Sequence, residues 1–191
     1  MSRYELLLFL HLTAAIVWVG SNVLLQILAT MTERAKDDVT FAKLFSYTAE
    51  LAPKLFVPAG LLTVLFGIGM VADGPWSFDM LWLVLALVGF AAAFGVGIAV
   101  FKPESERIAA MIERDGGMTA ESTAAARRFV TMTRFDLVVL FVIVFDMAVK
   151  PTGDDVGALA IMAIALVGGI AAVAVRAKAQ EQTDTAPIAT A

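Results

Sequence analysis

The chain contains no cysteine and a single histidine, His11, among its 191 residues. The first absence excludes disulfides, thiol chemistry and zinc or iron–sulfur sites built on thiolates. The second leaves any metal site to one imidazole helped by Met, Asp, Glu or backbone oxygen. Charge is also scarce. Only 17% of residues are charged and the formal net charge is −4. That balance offers no grip on a phosphate backbone, so no nucleic-acid partner is expected. Phosphate loops are missing too. Gly67-Ile-Gly69 and Gly95-Val-Gly97 lie inside apolar runs and read as packing glycines.

What is there is oil-soluble sequence. Hydrophobic residues make up 60% of the chain, and the mean hydropathy of +0.84 places it in the membrane class. A bilayer core of ~30 Å is crossed by ~20 helical residues. Five stretches meet or nearly meet that, 6–29, 55–72, 78–101, 135–149 and 156–175, the fourth being short on its apolar residues alone. The runs are continuous rather than alternating, which excludes a barrel of strands. The expected fold is all-α, an integral membrane helical bundle with five transmembrane helices. It forms one domain over residues 1–176, followed by a small, polar, disordered tail over 177–191. The first run is too long for a signal-peptide core, only Arg3 precedes it, and no small-x-small cleavage site follows, so it reads as a retained span.

Between the runs, punctuation sets the connections. Asp73-Gly74-Pro75 predicts a tight turn that pairs spans two and three as an antiparallel hairpin. Pro151-Thr152-Gly153 turns span four into span five, and Asp115-Gly116-Gly117 ends a polar helix over 104–114. Phe41, Leu44, Phe45, Thr48 and Leu51 recur at helical spacing, which predicts a helix lying on the membrane surface before span two. Residues 119–134 also read as helical and are expected to run into span four. Lys102-Pro103 and Lys150-Pro151 both read as an anchoring lysine followed by a helix stop. Ala91, Gly95 and Ala99 on span three, and Gly60 and Gly67 on span two, read as stripes where helices approach closely. Span five, built of Ala, Gly, Val and Ile, is expected to be peripheral.

Orientation follows from the basic residues. Twelve of the 14 Lys and Arg residues fall on one side of the five crossings; Arg3 and Lys150 alone fall on the other. Positive residues stay in the cytoplasm, so the N-terminus is expected outside and the C-terminus inside a cytoplasmic (inner) membrane. The expected partner is the lipid bilayer, with copies of itself or other membrane proteins as further associates.

The first span carries the candidate site. At ~100° per residue, Tyr4, His11, Trp18 and Asn22 fall along one line of a helix, with Gln26 slightly to the side. A polar stripe on a span faces the bundle interior. His11 would sit roughly 10 Å below the outer surface, counting ~1.5 Å per residue from Tyr4. Asp146, four residues before Lys150, falls at a comparable depth on span four, with Met70, Met80 and Met147 on the same side of the membrane. His11, Trp18, Asn22 and Asp146 are thus candidates for cofactor binding, and His11 with Met147 for a metal. Imidazole and thioether suit Cu(I), and imidazole suits haem iron. Each has a plainer reading: His11 donating to a backbone carbonyl, Trp18 packing, Asn22 and Gln26 as interhelical glue, Asp146 paired with a Lys150 that reaches outward.

The segment Leu10-His11-Leu12-Thr13-Ala14-Ala15-Ile16-Val17-Trp18-Val19-Gly20 resembles the first-span motif of a bacterial superfamily: His, Trp seven residues on, and Gly two after it. That superfamily includes copper-resistance protein D, the membrane-bound protoporphyrinogen oxidase of the HemJ type, and an uncharacterised group of predicted integral membrane proteins. The chain looks most like the last, with Lys54-Leu55-Phe56-Val57-Pro58-Ala59 and Asp146-Met147-Ala148-Val149-Lys150-Pro151 as further similar stretches. The resemblance implies haem at His11. The oxidase branch carries a lysine inside its third span, whereas residues 78–100 here hold neither lysine nor histidine. Three readings stand side by side: a binding protein for haem or a metal ion such as copper through His11 in an outward-side pocket, a membrane oxidoreductase related to the porphyrin oxidases, and a structural or assembly partner with no ligand.

Overall fold

The computed structural model describes residues 2–184, and all its regular structure is helical. Helix α1 runs Arg3–Ala35. Its first turn is closed by a capping box in which the Ser2 hydroxyl accepts from the Glu5 amide and the Glu5 carboxylate accepts from the Ser2 amide. Helices α2 (Asp38–Leu51) and α3 (Val57–Asp73) are joined by a π-helical turn, Ala52–Phe56. Helices α4 (Leu81–Val96) and α5 (Lys102–Asp115) are joined by a second, Gly97–Phe101. Helix α6 covers Ala120–Val149 and α7 Val156–Asp184.

Four helical rods are long and apolar enough to cross a membrane: Arg3–Ala35, Asp38–Asp73, Leu81–Asp115 and Val156–Ala179. No more than 17% of any of their apolar windows is buried within the protein. Phe9, Ile16, Leu65, Val88, Ile164 and Val167 are all more than half exposed. Such a coat would be strongly unfavourable in water, at about 25 cal/mol for each Å², and is what lipid solvates. Helix α6 is not among these rods, because its last 18 residues include three charged ones, Arg134, Asp136 and Asp146. It packs against α1, α4, α5 and α7. Charged groups are tolerated there because other helices, not lipid, cover them.

Several expectations meet a different outcome. The helix before span two does not lie on the membrane surface. It continues α3 as one rod, Asp38–Asp73, because Phe41 and Phe45 bury against Ile108, Ile112, Ala126, Phe129 and Val130 of α5 and α6. Lys102-Pro103 does not stop span three. Pro103 sits in the first turn of α5, directly after the π-helical turn, whose wider spacing takes up the proline ring and its missing N–H within the rod. Before it the chain is π-helical, with the Lys102 amide donating to the Gly97 carbonyl. Lys150-Pro151 does end α6: Lys150 is left-handed, φ 54°, and its amide donates to the Asp146 carbonyl at 2.7 Å.

Spans two and three follow one another, yet α3 packs chiefly on α1 and α4 chiefly on α6. Of the small-residue stripes, Gly60 and Gly67 do meet neighbours. Ala91, Gly95 and Ala99 are exposed, and a Cβ on Gly95 would touch nothing within 4 Å. Helix α6 runs in from Thr119, which caps it, as expected. Helix α7 packs on α6 at the periphery. It continues through the first residues assigned to the tail, and 185–191 lie outside the described residues.

Candidate functional site

The polar stripe of α1 does turn inward, and it meets two different surroundings. In the half of the bundle holding Tyr4, both polar groups of the stripe have a defined partner. His11 Nδ1 donates to the Thr63 carbonyl oxygen of α3 at 2.7 Å. A carbonyl can only accept, so Nδ1 carries a proton, and in the neutral ring Nε2 is then the nitrogen with the lone pair. The ring lies against Gly67, where a Cβ would come within 3.2 Å of both Cε1 and Nδ1. Thr63 is itself buried, its hydroxyl donating to the Ala59 carbonyl.

The same end is closed by Trp76. Its Nε1 donates to the Tyr4 hydroxyl at 3.1 Å, its ring meets Trp82 edge-on, and the Lys150 ammonium lies 4.0 Å from its centroid. Lys150 thus sits on an aromatic face rather than on Asp146, which corrects the expected pair. Asp146 is buried and both its carboxylate oxygens lack a hydrogen-bond partner. Met147 packs with Val71, Trp82 and Met80. Asp73, the last residue of α3, has Arg3 3.7 Å away.

The other half of the stripe lines a cavity of about 140 Å³. Trp18, Asn22 and Gln26 of α1 form one wall, and both π-helical turns contribute to the others through Ala52, Phe56, Gly97, Ile98 and Phe101. Each π-turn carries one extra residue, which widens the helix and offsets the side chains that would otherwise close the gap. Trp18 and Asn22 line this cavity, and His11, Asp146 and Met147 do not. Trp18 packs on Ala59, Ala93 and Leu140 and meets Phe90 edge-on at 5.3 Å, the plainer reading for that residue. Asn22 bonds its own helix, Nδ2 to the Trp18 carbonyl at 2.8 Å. Gln26 does join helices, its Oε1 accepting from the Thr133 hydroxyl of α6 at 3.1 Å, but its Nε2 is buried without a partner.

The residue missed by sequence reading is Asp136, on the cavity wall one turn beyond Thr133. It makes no hydrogen bond or ion pair with any described residue. The signal was present: an acidic side chain inside an apolar run is a functional-site candidate wherever it occurs. It was hidden by its closeness to Arg134, which turns to Thr30 and Glu33 instead, at 3.2 and 3.6 Å.

An all-helical protein with several membrane-crossing rods and an internal polar stripe is an integral membrane bundle. The chain matches, over residues 5–151, the model of the family described as predicted integral membrane protein (DUF2269), and it belongs to that family. The family's description states membrane residence and no activity. No curated protein and no solved structure matches the chain.

Proposed function

We propose that the protein is a five-span bundle of the bacterial inner membrane, N-terminus out and C-terminus in, that binds haem through His11 on the outward side. The fifth crossing is α6. Its 30 residues reach ~45 Å, and α1, α4 and α7 flank it. With five crossings the basic residues gather on one side, as the positive-inside rule requires. The single observation that carries the ligand is the His11–Thr63 bond. It fixes the tautomer that presents Nε2 as a donor to a metal, the arrangement that second-shell carbonyls give to ligating histidines. Gly67 supports the same point, since a side chain there would press on the ring.

Haem needs only one such axial ligand from the chain and supplies a redox-active iron when bound. Copper held by His11 and Met147 has less behind it: Met147 is taken up in the Trp82 cluster, and no group of three His, Asp or Glu gathers among the described residues. The likeness to the copper-resistance and HemJ-type superfamily rests on the His11, Trp18 and Gly20 motif, and an oxidase of that kind would also need the third-span lysine that this chain lacks.

The same bond supports a second reading, in which His11 only fastens α1 to α3. Absorption spectra and metal analysis of the protein purified in mild detergent separate the two. The expected result is a haem band, or stoichiometric haem uptake, that His11→Ala abolishes while His11→Ala still folds. A colourless preparation that takes up no haem overturns the binding reading and leaves the fastener. Rescue of cells lacking their own protoporphyrinogen oxidase would be required before any oxidase activity is assigned.

A further inference from the structure

The cavity in the Gln26 half holds one unanswered negative charge and one unanswered donor, and together these define a ligand class. Its polar lining can be accounted for group by group. Asn22 is bonded to Trp18, Thr48 to the Leu44 carbonyl and Ser105 to the Lys102 carbonyl. The Lys102 ammonium lies 3.3 Å from Glu106. The Thr133 hydroxyl is shared between Gln26 and the Val130 carbonyl. What remains is the Asp136 carboxylate and the Asn22 amide oxygen on the lining, acceptors with no partner among the described residues, and the buried donor Gln26 Nε2. Around them stand six aromatic rings: Trp18, Phe45, Phe56, Phe94, Phe101 and Phe129.

We propose that this cavity binds a small aromatic amine as its cation, with the ammonium on Asp136 and a hydrogen-bond acceptor on the ring facing Gln26 Nε2. An anion is disfavoured because the cavity's only basic side chain already faces a carboxylate, leaving Asp136 in excess. A neutral apolar molecule would fill the space and leave Asp136 and Gln26 unmet, at a desolvation cost that grows in a low-dielectric site. An organic cation answers the charge, and aromatic faces add attraction for it. Size sets the limit: a cavity of about 150 Å³ accepts benzene, so one ring with a short amine chain fits and a fused polycycle does not. The site is separate from His11 and does not rest on haem binding.

The test is calorimetric titration of the full-length protein in mild detergent with tyramine, phenethylamine and 4-ethylphenol. Tyramine carries both the ammonium and the ring oxygen; each of the others lacks one. Tyramine is expected to bind, 4-ethylphenol at least tenfold more weakly, and phenethylamine between them. Asp136→Asn should lower tyramine affinity at least tenfold, and Gln26→Leu should bring tyramine down to the affinity of phenethylamine. Ala93→Leu, which fills the cavity from α4, should abolish binding of all three; thermal unfolding of each variant verifies its fold. Equal binding of tyramine and 4-ethylphenol, unchanged tyramine binding by folded Asp136→Asn, or no binding of any probe by the unmodified protein would each overturn the assignment.

Discussion

The two halves of α1's polar stripe behave in opposite ways. Around His11 the flanking helices are regular and every contact is close: a 2.7 Å bond to Thr63 and a glycine under the imidazole. Around Gln26 the neighbouring rods are π-helical and the walls stand apart, with the Gln26 amide nitrogen buried without a partner and the Asp136 carboxylate on the cavity wall. The difference teaches that burial of a polar side chain in a bundle does not decide its role. What decides it is whether the backbone opposite keeps helical register. A regular helix can bring a glycine and a carbonyl to the imidazole; a π-turn carries its side chains out of line and leaves room.

Matched substitutions break this comparison most strongly. Gly67→Ala places a methyl 3.2 Å from a ring held by its hydrogen bond, and Gly60→Ala places one only 2.8 Å from Phe94. Distance alone ranks the second as worse. The void beside Phe94 reverses that order: Gly67→Ala should destabilise by about 1–2 kcal/mol, and Gly60→Ala by under ~1 kcal/mol as Phe94 swings into the cavity. Thermal unfolding in detergent measures both, and an equal or larger loss at Gly60 would mean that the cavity gives no room.

A second pair exchanges polar for apolar. His11→Leu removes a satisfied bond and should cost about 1 kcal/mol, whereas Gln26→Leu removes a buried amide nitrogen without a partner along with a bond from Thr133, which keeps the Val130 carbonyl, and should be within ~1 kcal/mol of neutral. Denaturation midpoints of the two variants give the sign of each effect directly.

The fold was legible where the sequence carries period and punctuation. Continuous apolar runs marked the rods, Thr119 and Gly116 marked ends that the chain keeps, and the α1 stripe pointed the right way. It was illegible where proline has two outcomes. Pro103 and Pro151 follow lysines in identical fashion, yet one continues a rod and the other closes it. The deciding factor is tertiary: Ile108 and Ile112 bury against Phe41, Phe45 and Phe129, which holds α5 in line. The candidate site was half legible for a similar reason. His11 stood out as the lone imidazole, but a cavity made by two displaced turns has no local signature, and Asp136 drew no notice beside Arg134.

The smallest expected effect lies outside both halves, at the turn into α7. The amide and hydroxyl of Thr152 both donate to Asp155 at 2.8 Å and hold its carboxyl below the usual carboxylate range. A lowered value stabilises the fold above the ordinary aspartate range of about pH 4 and loses that contribution as the pH falls through it. Asp155→Asn should therefore flatten only a slight acid-side slope in the melting temperature between pH 5 and pH 3, here about two units. Matching slopes in the two proteins would show that the turn is held by other means.

The unbroken rods have a mechanical side. Asp38–Asp73 and Leu81–Asp115 hold 36 and 35 residues, about 50 Å each at ~1.5 Å per residue. That exceeds the oily layer by roughly 20 Å, so a cap of paired α2 and α5 stands clear of it. Neither rod is interrupted by a loop between that cap and the bundle, and the π-helical turns that line the cavity lie within the same two rods, so cap and cavity walls share a continuous helical backbone.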